Sequence, residues 1–218
     1  MIKLRDILNE RRGGKEETRE TVNHAVLVIS RDLLNSIKQG KKNYRGNIVL
    51  PARDYDQEDP VIDIKIKMIP VKSMKWSHDI TAEADMEELE ATINYNPSFL
   101  PMAYNDLIAE IKEMLRHELE HVGQENYQGK SVTYKSYEPK THFKQYLLQA
   151  NEVPAYVQGL YKRAKTKRIT VPQAMEEWYN ENKANFKNPT KDWKTVKKVW
   201  MEWGKKNLPT ALWSDNNE

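Results

Sequence analysis

Residues 101–124 read Pro-Met-Ala-Tyr-Asn-Asp-Leu-Ile-Ala-Glu-Ile-Lys-Glu-Met-Leu-Arg-His-Glu-Leu-Glu-His-Val-Gly-Gln, with no Gly or Pro between Met102 and Val122. Leu107, Ile108, Ile111, Met114, Leu115 and Val122 recur at helical spacing, which predicts one amphipathic helix over 101–124. Turned by about 100° per residue, these side chains share one stripe. Glu118 falls inside that stripe, and His117 and His121 lie along its edge beside Met114. Lys112, Glu113, Arg116 and Glu120 fall on the opposite side and are expected to face solvent. Three ionisable groups therefore sit where the pattern asks for apolar ones. Burying them without partners costs several kcal/mol, a penalty that a metal ion and its water would remove.

Residues 117–121 alone read His-Glu-Leu-Glu-His. Imidazoles four positions apart on a helix point the same way and can grip one divalent ion, and Glu118 can then reach a water bound to it. A catalytic zinc site wants three protein ligands and one open position. A His six residues past His121, with a Gly between, is one source of the third, but position 127 is Tyr and Gly123 comes one place too early. A Glu from a later helix is another source, and residues 151–156, Asn-Glu-Val-Pro-Ala-Tyr, offer Glu152. Asn151 suits an N-cap and Pro154 a first turn, so a helix is expected from Asn151 to about Lys165. Val153, Val157, Leu160 and Ala164 would be its apolar face, and Ala155 is small enough for close helix approach. Glu120 faces away on the helix and Glu125 is too close in sequence to fold back, while His142 stays open as an alternative ligand.

With Glu152 in a Glu-x-x-Ala-Tyr context, these residues resemble the gluzincin branch of the zincin metallopeptidases over roughly residues 85–165. The resemblance implies one Zn2+ per chain held by His117, His121 and Glu152, with Glu118 as the general base for peptide-bond hydrolysis. Tyr156 or His142 would then donate to the developing oxyanion, Tyr156 being preferred because it shares the Glu152 helix. Asn151 or a carboxylate would orient a ligating imidazole. The opening Met-Ile-Lys-Leu-Arg-Asp-Ile-Leu-Asn-Glu also resembles proteins of tailed phages. A zincin-fold binding or structural protein without peptidase activity is the alternative function.

The rest of the chain supplies the frame. Residues 1–20 are charged, with Arg11-Arg12-Gly13-Gly14-Lys15, and read as a flexible arm. Val22, Ala25, Val26, Val28, Ile29, Leu33, Leu34 and Ile37 give a helical pattern over 21–38. Strand-like segments follow at Gly46–Leu50, Val61–Met68, Met74–Asp85 and Leu89–Tyr95, punctuated by Pro51, Pro60, Pro70 and Asn96-Pro97. The expected fold is α+β: a small antiparallel sheet packed on the N-terminal helix and the 117–121 helix, then a helical C-terminal half. A zincin-like domain would span 21–165, with a helical extension over 166–218 packed on it. The resemblance places strand Leu89–Asn96 at the border of a cleft, where an edge strand could pair with an extended protein or peptide substrate.

Thr170-Val-Pro-Gln173 reads as a capping box opening a helix to about Asn182. Pro189–Lys206 forms another, with Trp193, Val196, Val199, Trp200 and Trp203 at helical spacing as core. Residues 158–206 hold thirteen Lys or Arg against five Asp or Glu, a local balance of +8 in a chain of +3 overall. That surplus suits nucleic acid or an acidic substrate, but a solvated face is the favoured reading. No cysteine is present, which excludes disulfides, thiolate ligands and a Cys nucleophile. The lack of a long apolar run or signal peptide points away from membranes and toward the cytoplasm.

Overall fold

Val22, Val26, Ile29, Leu33 and Ile37 recur every three or four residues, and a helix over Lys15–Lys38 (α1) buries them all. Each such burial is worth roughly 1.5–3 kcal/mol. The helix stops at Gly40, whose φ of 67° is open to a residue without a β-carbon. The Gly40 amide donates to the Ile37 carbonyl at 3.0 Å and the Lys41 amide to the Ser36 carbonyl at 2.9 Å, so the last helical carbonyls are satisfied. The structure, a computed structural model, describes residues 15–52, 58–85, 87–128 and 137–214. Part of the expected arm is helical: residues 15–20 belong to α1, because Thr18 continues the buried face one turn upstream. Residues 1–14 lie outside the described residues.

Four strands follow, Asn43–Val49 (β1), Val61–Pro70 (β2), His78–Ala84 (β3) and Glu88–Tyr95 (β4). Strand alternation sends Ile62, Ile64, Ile66 and Met68 of β2 and Leu89, Ala91, Ile93 and Tyr95 of β4 to the buried face. On the other face Lys65 meets Glu88 at 2.6 Å.

The sheet is mixed, which corrects the antiparallel expectation. Its order is β1-β2-β4-β3, with β2 and β4 parallel and both outer pairs antiparallel. The cause is the connection 71–77, which crosses the end of β4. Across that end the Val71 amide donates to the Tyr95 carbonyl and the Asn96 amide to the Ser77 carbonyl, both at 2.8 Å. β3 therefore lands on the far side, and the turn at Asp85 returns β4 into the slot beside β2. Two backbone amides, of Glu87 and Glu88, donate to Asp85 Oδ1 at 2.8 Å and hold its carboxyl below the usual carboxylate range. Since β4 has a strand on each side, it is not the edge on which a peptide was expected to pair. The edges of the sheet are β1 and β3.

The second helix-sized pattern forms α2, Leu100–Gln128, longer at both ends than expected. The chain divides into two compact units inside it, one from residues 1–98 and 118–132, the other from residues 99–117 and 133–218. In the first unit α1 lies against β1, and Arg19 of α1 reaches Glu120 of α2 at 3.5 Å. In the second, α2 is followed by Pro139–Leu147 (α3), Glu152–Lys167 (α4), Val171–Asn182 (α5) and Pro189–Asn207 (α6). Their core gathers Leu147, Val157, Leu160, Met175, Trp178 and Trp200. The capping box is present: Thr170 Oγ1 accepts from the Gln173 amide at 3.2 Å, and Gln173 Oε1 from the Thr170 amide at 2.9 Å. Trp193 and Trp200 are core as expected, while Trp203 is half-buried.

The expected solvent face of α2 is not one. Arg116 is fully buried and Glu120 only 2% exposed, while Lys112 and Glu113 are half-buried. A helical-wheel pattern marks the apolar stripe but not charges buried with a partner, as Glu120 is with Arg19 and Glu113 with Arg163. Three of the thirteen basic side chains of residues 158–206 are paired in this way, Arg163 with Glu113, Lys167 with Glu177 and Lys197 with Glu176. No helix among the described residues is long and apolar enough to cross a membrane.

Asn96 is the clamp on the crossing loop. Its side-chain amide donates to the Lys72 and Met74 carbonyls at 3.1 and 2.9 Å, and its Oδ1 accepts from the Ser98 amide at 3.0 Å. Asn96→Ala should cost about 2–3 kcal/mol in urea denaturation, since several partners lose a bond together. A cost below about 0.5 kcal/mol would show that the crossing is held by other contacts.

Candidate metal centre

His117 and His121 stand one helical turn apart on α2, so their Cα–Cβ bonds point along the same side. What they meet depends on α4. Lys167 reaches Asp106 at 3.0 Å, Arg163 reaches Glu113 at 3.1 Å, and Glu152 Oε2 lies 3.6 Å from His117 Nε2. Residue numbers rise along α2 as they fall along α4, so the two helices run antiparallel through this seam. Gly159 sets their closeness: a β-carbon there would sit 2.9 Å from the Glu113 carbonyl oxygen. Ala155, expected from sequence to allow a close approach, is fully buried, and Gly159 one turn further on stands against the Glu113 backbone.

The seam brings one ligand atom from each of His117, His121 and Glu152 within 4.8 Å of the others. Zinc bonds of about 2.0–2.1 Å in a tetrahedron place ligand atoms about 3.3 Å apart, close to the His117–Glu152 separation. Two imidazoles and one carboxylate leave positions open on a divalent ion, the donor set of a reactive rather than a closed site. The group could hold a metal ion, and its Glu152 is buried.

Asn151 has a different task from the expected one. It precedes α4, yet its side chain caps no amide and instead donates through Nδ2 to Glu152 Oε1 at 3.1 Å. That bond orients the Glu152 carboxylate, whose Oε2 lies 3.6 Å from His117 Nε2. Tyr156 stands beside the same imidazole, ring centroids 4.5 Å apart and planes at 74°. Glu118 is half-buried on α2 between the two histidines in sequence.

Among the described residues, neither Glu120 nor His142 joins the group. Glu120 pairs with Arg19. His142 is exposed on α3, where it interrupts the helix with φ −133° and ψ 44°, and its Nδ1 lies 2.8 Å from Thr141 Oγ1. The side chain of Glu125 lies outside the described residues.

Charge is concentrated along the seam. Burial pushes the Glu113 carboxyl up to about 7 against the pull of Arg163. Arg163, itself buried, also faces Glu177 at 3.5 Å and Glu181 at 3.0 Å. Lys162 is pushed down to about 8 by burial and then by Arg116, Lys165 and Lys112. These pairings escaped the sequence reading, although Asp106 and Glu113 on α2 and Arg163 and Lys167 on α4 share helical spacings that such a seam would require.

Comparison of the chain with protein-family models, with curated proteins and with solved structures finds no match.

Replacing His117 or Glu152 by Ala should abolish stoichiometric Zn2+ binding, whereas His142→Ala should leave it intact; Asn151→Ala should weaken it about tenfold. Competition against a colorimetric chelator reads all four, and a His142→Ala protein that loses its zinc would redraw the ligand set. Arg163→Met should cost about 3–5 kcal/mol at pH 8, because it strands Glu113 in a buried position. Glu113 ionises at about 7 when folded against a usual 4.5, so the folded state gains a proton, and stability, as pH falls between those values. The cost should therefore be smaller at pH 6, as compared by urea midpoints at both pH values; equal costs would exonerate Glu113.

Proposed function

We propose that this protein is a zinc-dependent peptidase of gluzincin type, hydrolysing peptide bonds in a protein or peptide substrate. The convergence of His117, His121 and Glu152 carries the reading, because it joins a two-histidine helix to a carboxylate thirty-one residues downstream of His121. When bound, the divalent ion supplies Lewis acidity and lowers the pKa of water in its open position toward about 7.

The chain's own residues do the rest. His117, His121 and Glu152 hold the ion, and Asn151 keeps Glu152 turned toward it. Glu118 takes the proton from the attacking water and later passes it to the leaving nitrogen, so that one carboxylate serves as base and then as acid. Tyr156, packed against His117, is the candidate donor to the carbonyl oxygen as charge develops there.

Glu118→Gln should lower turnover of a quenched-fluorescent peptide library by about 10²–10⁴-fold while zinc content stays at one per chain. Undiminished turnover in that variant would sink the peptidase reading. A wild-type protein that keeps its zinc but cleaves nothing would instead be a binding or structural protein built on the same site.

A further inference from the structure

Behind His117 stands a stack of aromatic rings that a metal site does not need for ligands. Tyr156, against the imidazole, is boxed on its other sides. Trp200 of α6 stacks on it with centroids 5.0 Å apart and planes at 17°, and Trp178 of α5 meets it edge-on at 5.3 Å and 71°. Tyr146 of α3 closes a further side at 6.3 Å and 88°. Trp200 itself is fully buried, and its indole Nε1 donates to the Leu147 carbonyl at 3.1 Å. A ring gripped by packing and pinned by a hydrogen bond has one orientation. It passes that constraint to Tyr156 through the stacked face, and Tyr156 passes it to His117 through an edge-to-face contact.

The consequence concerns direction. The lone pair of Nε2 lies in the imidazole plane, so a metal bond forms only when that plane is turned toward the ion. In His117 the plane is turned so that Nε2 lies 3.6 Å from Glu152 Oε2. Rotation of the ring about its Cβ–Cγ bond would swing Nε2 away from the carboxylate, and the Tyr156 ring, with its centroid 4.5 Å away, stands against such a turn.

We infer that Trp200 is a positioning residue for the metal centre, acting through Tyr156 to hold the His117 imidazole in its coordinating plane. The inference rests on the metal-site reading above. It assigns to α6, a helix that supplies no ligand, a share in metal affinity.

The test uses the full-length protein with Zn2+ affinity from chelator competition, the visible absorption of the Co2+-loaded form as a report on ligand geometry, and thermal melting. Trp200→Leu keeps an apolar filler but removes the flat face; it should weaken Zn2+ binding about tenfold to a hundredfold and alter the Co2+ spectrum. Trp200→Phe restores an aromatic face and should recover affinity to within about threefold of wild type and the wild-type spectrum. Trp193 is the control, because its ring contacts are with Trp178, Tyr179, Phe186 and Trp200. Trp193→Leu should lower the melting temperature while affinity and spectrum stay as in wild type. If Trp200→Leu does not fold, Tyr156→Leu severs the same link with Trp200 in place and should give the same two losses. Unchanged affinity and spectrum in Trp200→Leu or Tyr156→Leu overturn the inference, as do losses in Trp193→Leu that match those of Trp200→Leu. Wild-type protein that binds neither ion would overturn the metal centre itself, a failure that shows before any variant is made.

Discussion

A carboxylate withdrawn from water needs a partner, and Glu152 finds it in the imidazole of His117. That meeting exists because α4 runs antiparallel to α2 at very short range. Gly159 permits the approach, and the ion pairs of Asp106 with Lys167 and of Glu113 with Arg163 set its direction and register. A shift of one turn along either helix would separate Glu152 from the histidines and at the same time part Arg163 from Glu113. The seam that stabilises the helices is thus the same seam that assembles the ligands. The largely buried pair of Arg163 with Glu113 contributes little net stability, since desolvation offsets its attraction, and the more exposed pair of Lys167 with Asp106 little more. Their effect here is to penalise every other register.

The site is supported from two sides by chemistry of different kinds. Asn151 directs one oxygen of Glu152 by a hydrogen bond, which constrains rotation of the carboxylate. Tyr156 meets His117 in an edge-to-face contact and is itself packed by Trp200 and Trp178, which constrains rotation by exclusion of space. Hydrogen bonds and packing act on different degrees of freedom, so neither substitutes for the other. The sheet obeys a similar economy. Asn96 ties the 71–77 loop over the end of β4, and that one crossing decides which strand is interior and which edge stays open.

Much of the secondary structure was legible in the chain. The period of Val22, Val26, Ile29 and Leu33 announced α1, the alternation of β2 and β4 announced a half-buried sheet, and Thr170 with Gln173 announced the start of α5. The strand order was not legible, because alternation says which face is buried and nothing about which neighbour a strand will choose. Arg116 and Glu120 were misread as solvated for a related reason. A helical wheel sorts residues by polarity, and a charge that is buried with company looks the same on it as a charge in water.

The candidate site divides along the same line. Spacing by itself determined that His117 and His121 share one side of a helix with Glu118 between them, because the pitch of an α-helix is fixed by its backbone hydrogen bonds. It also singled out Glu152, among rivals, as the carboxylate worth watching. Only the tertiary structure decided that Glu152 and not His142 arrives beside the imidazoles, that Asn151 serves the carboxylate, and that Trp200 stands behind Tyr156. Those outcomes depend on how two helices dock, and docking is set by the fit of many side chains distant in sequence, which no local pattern encodes.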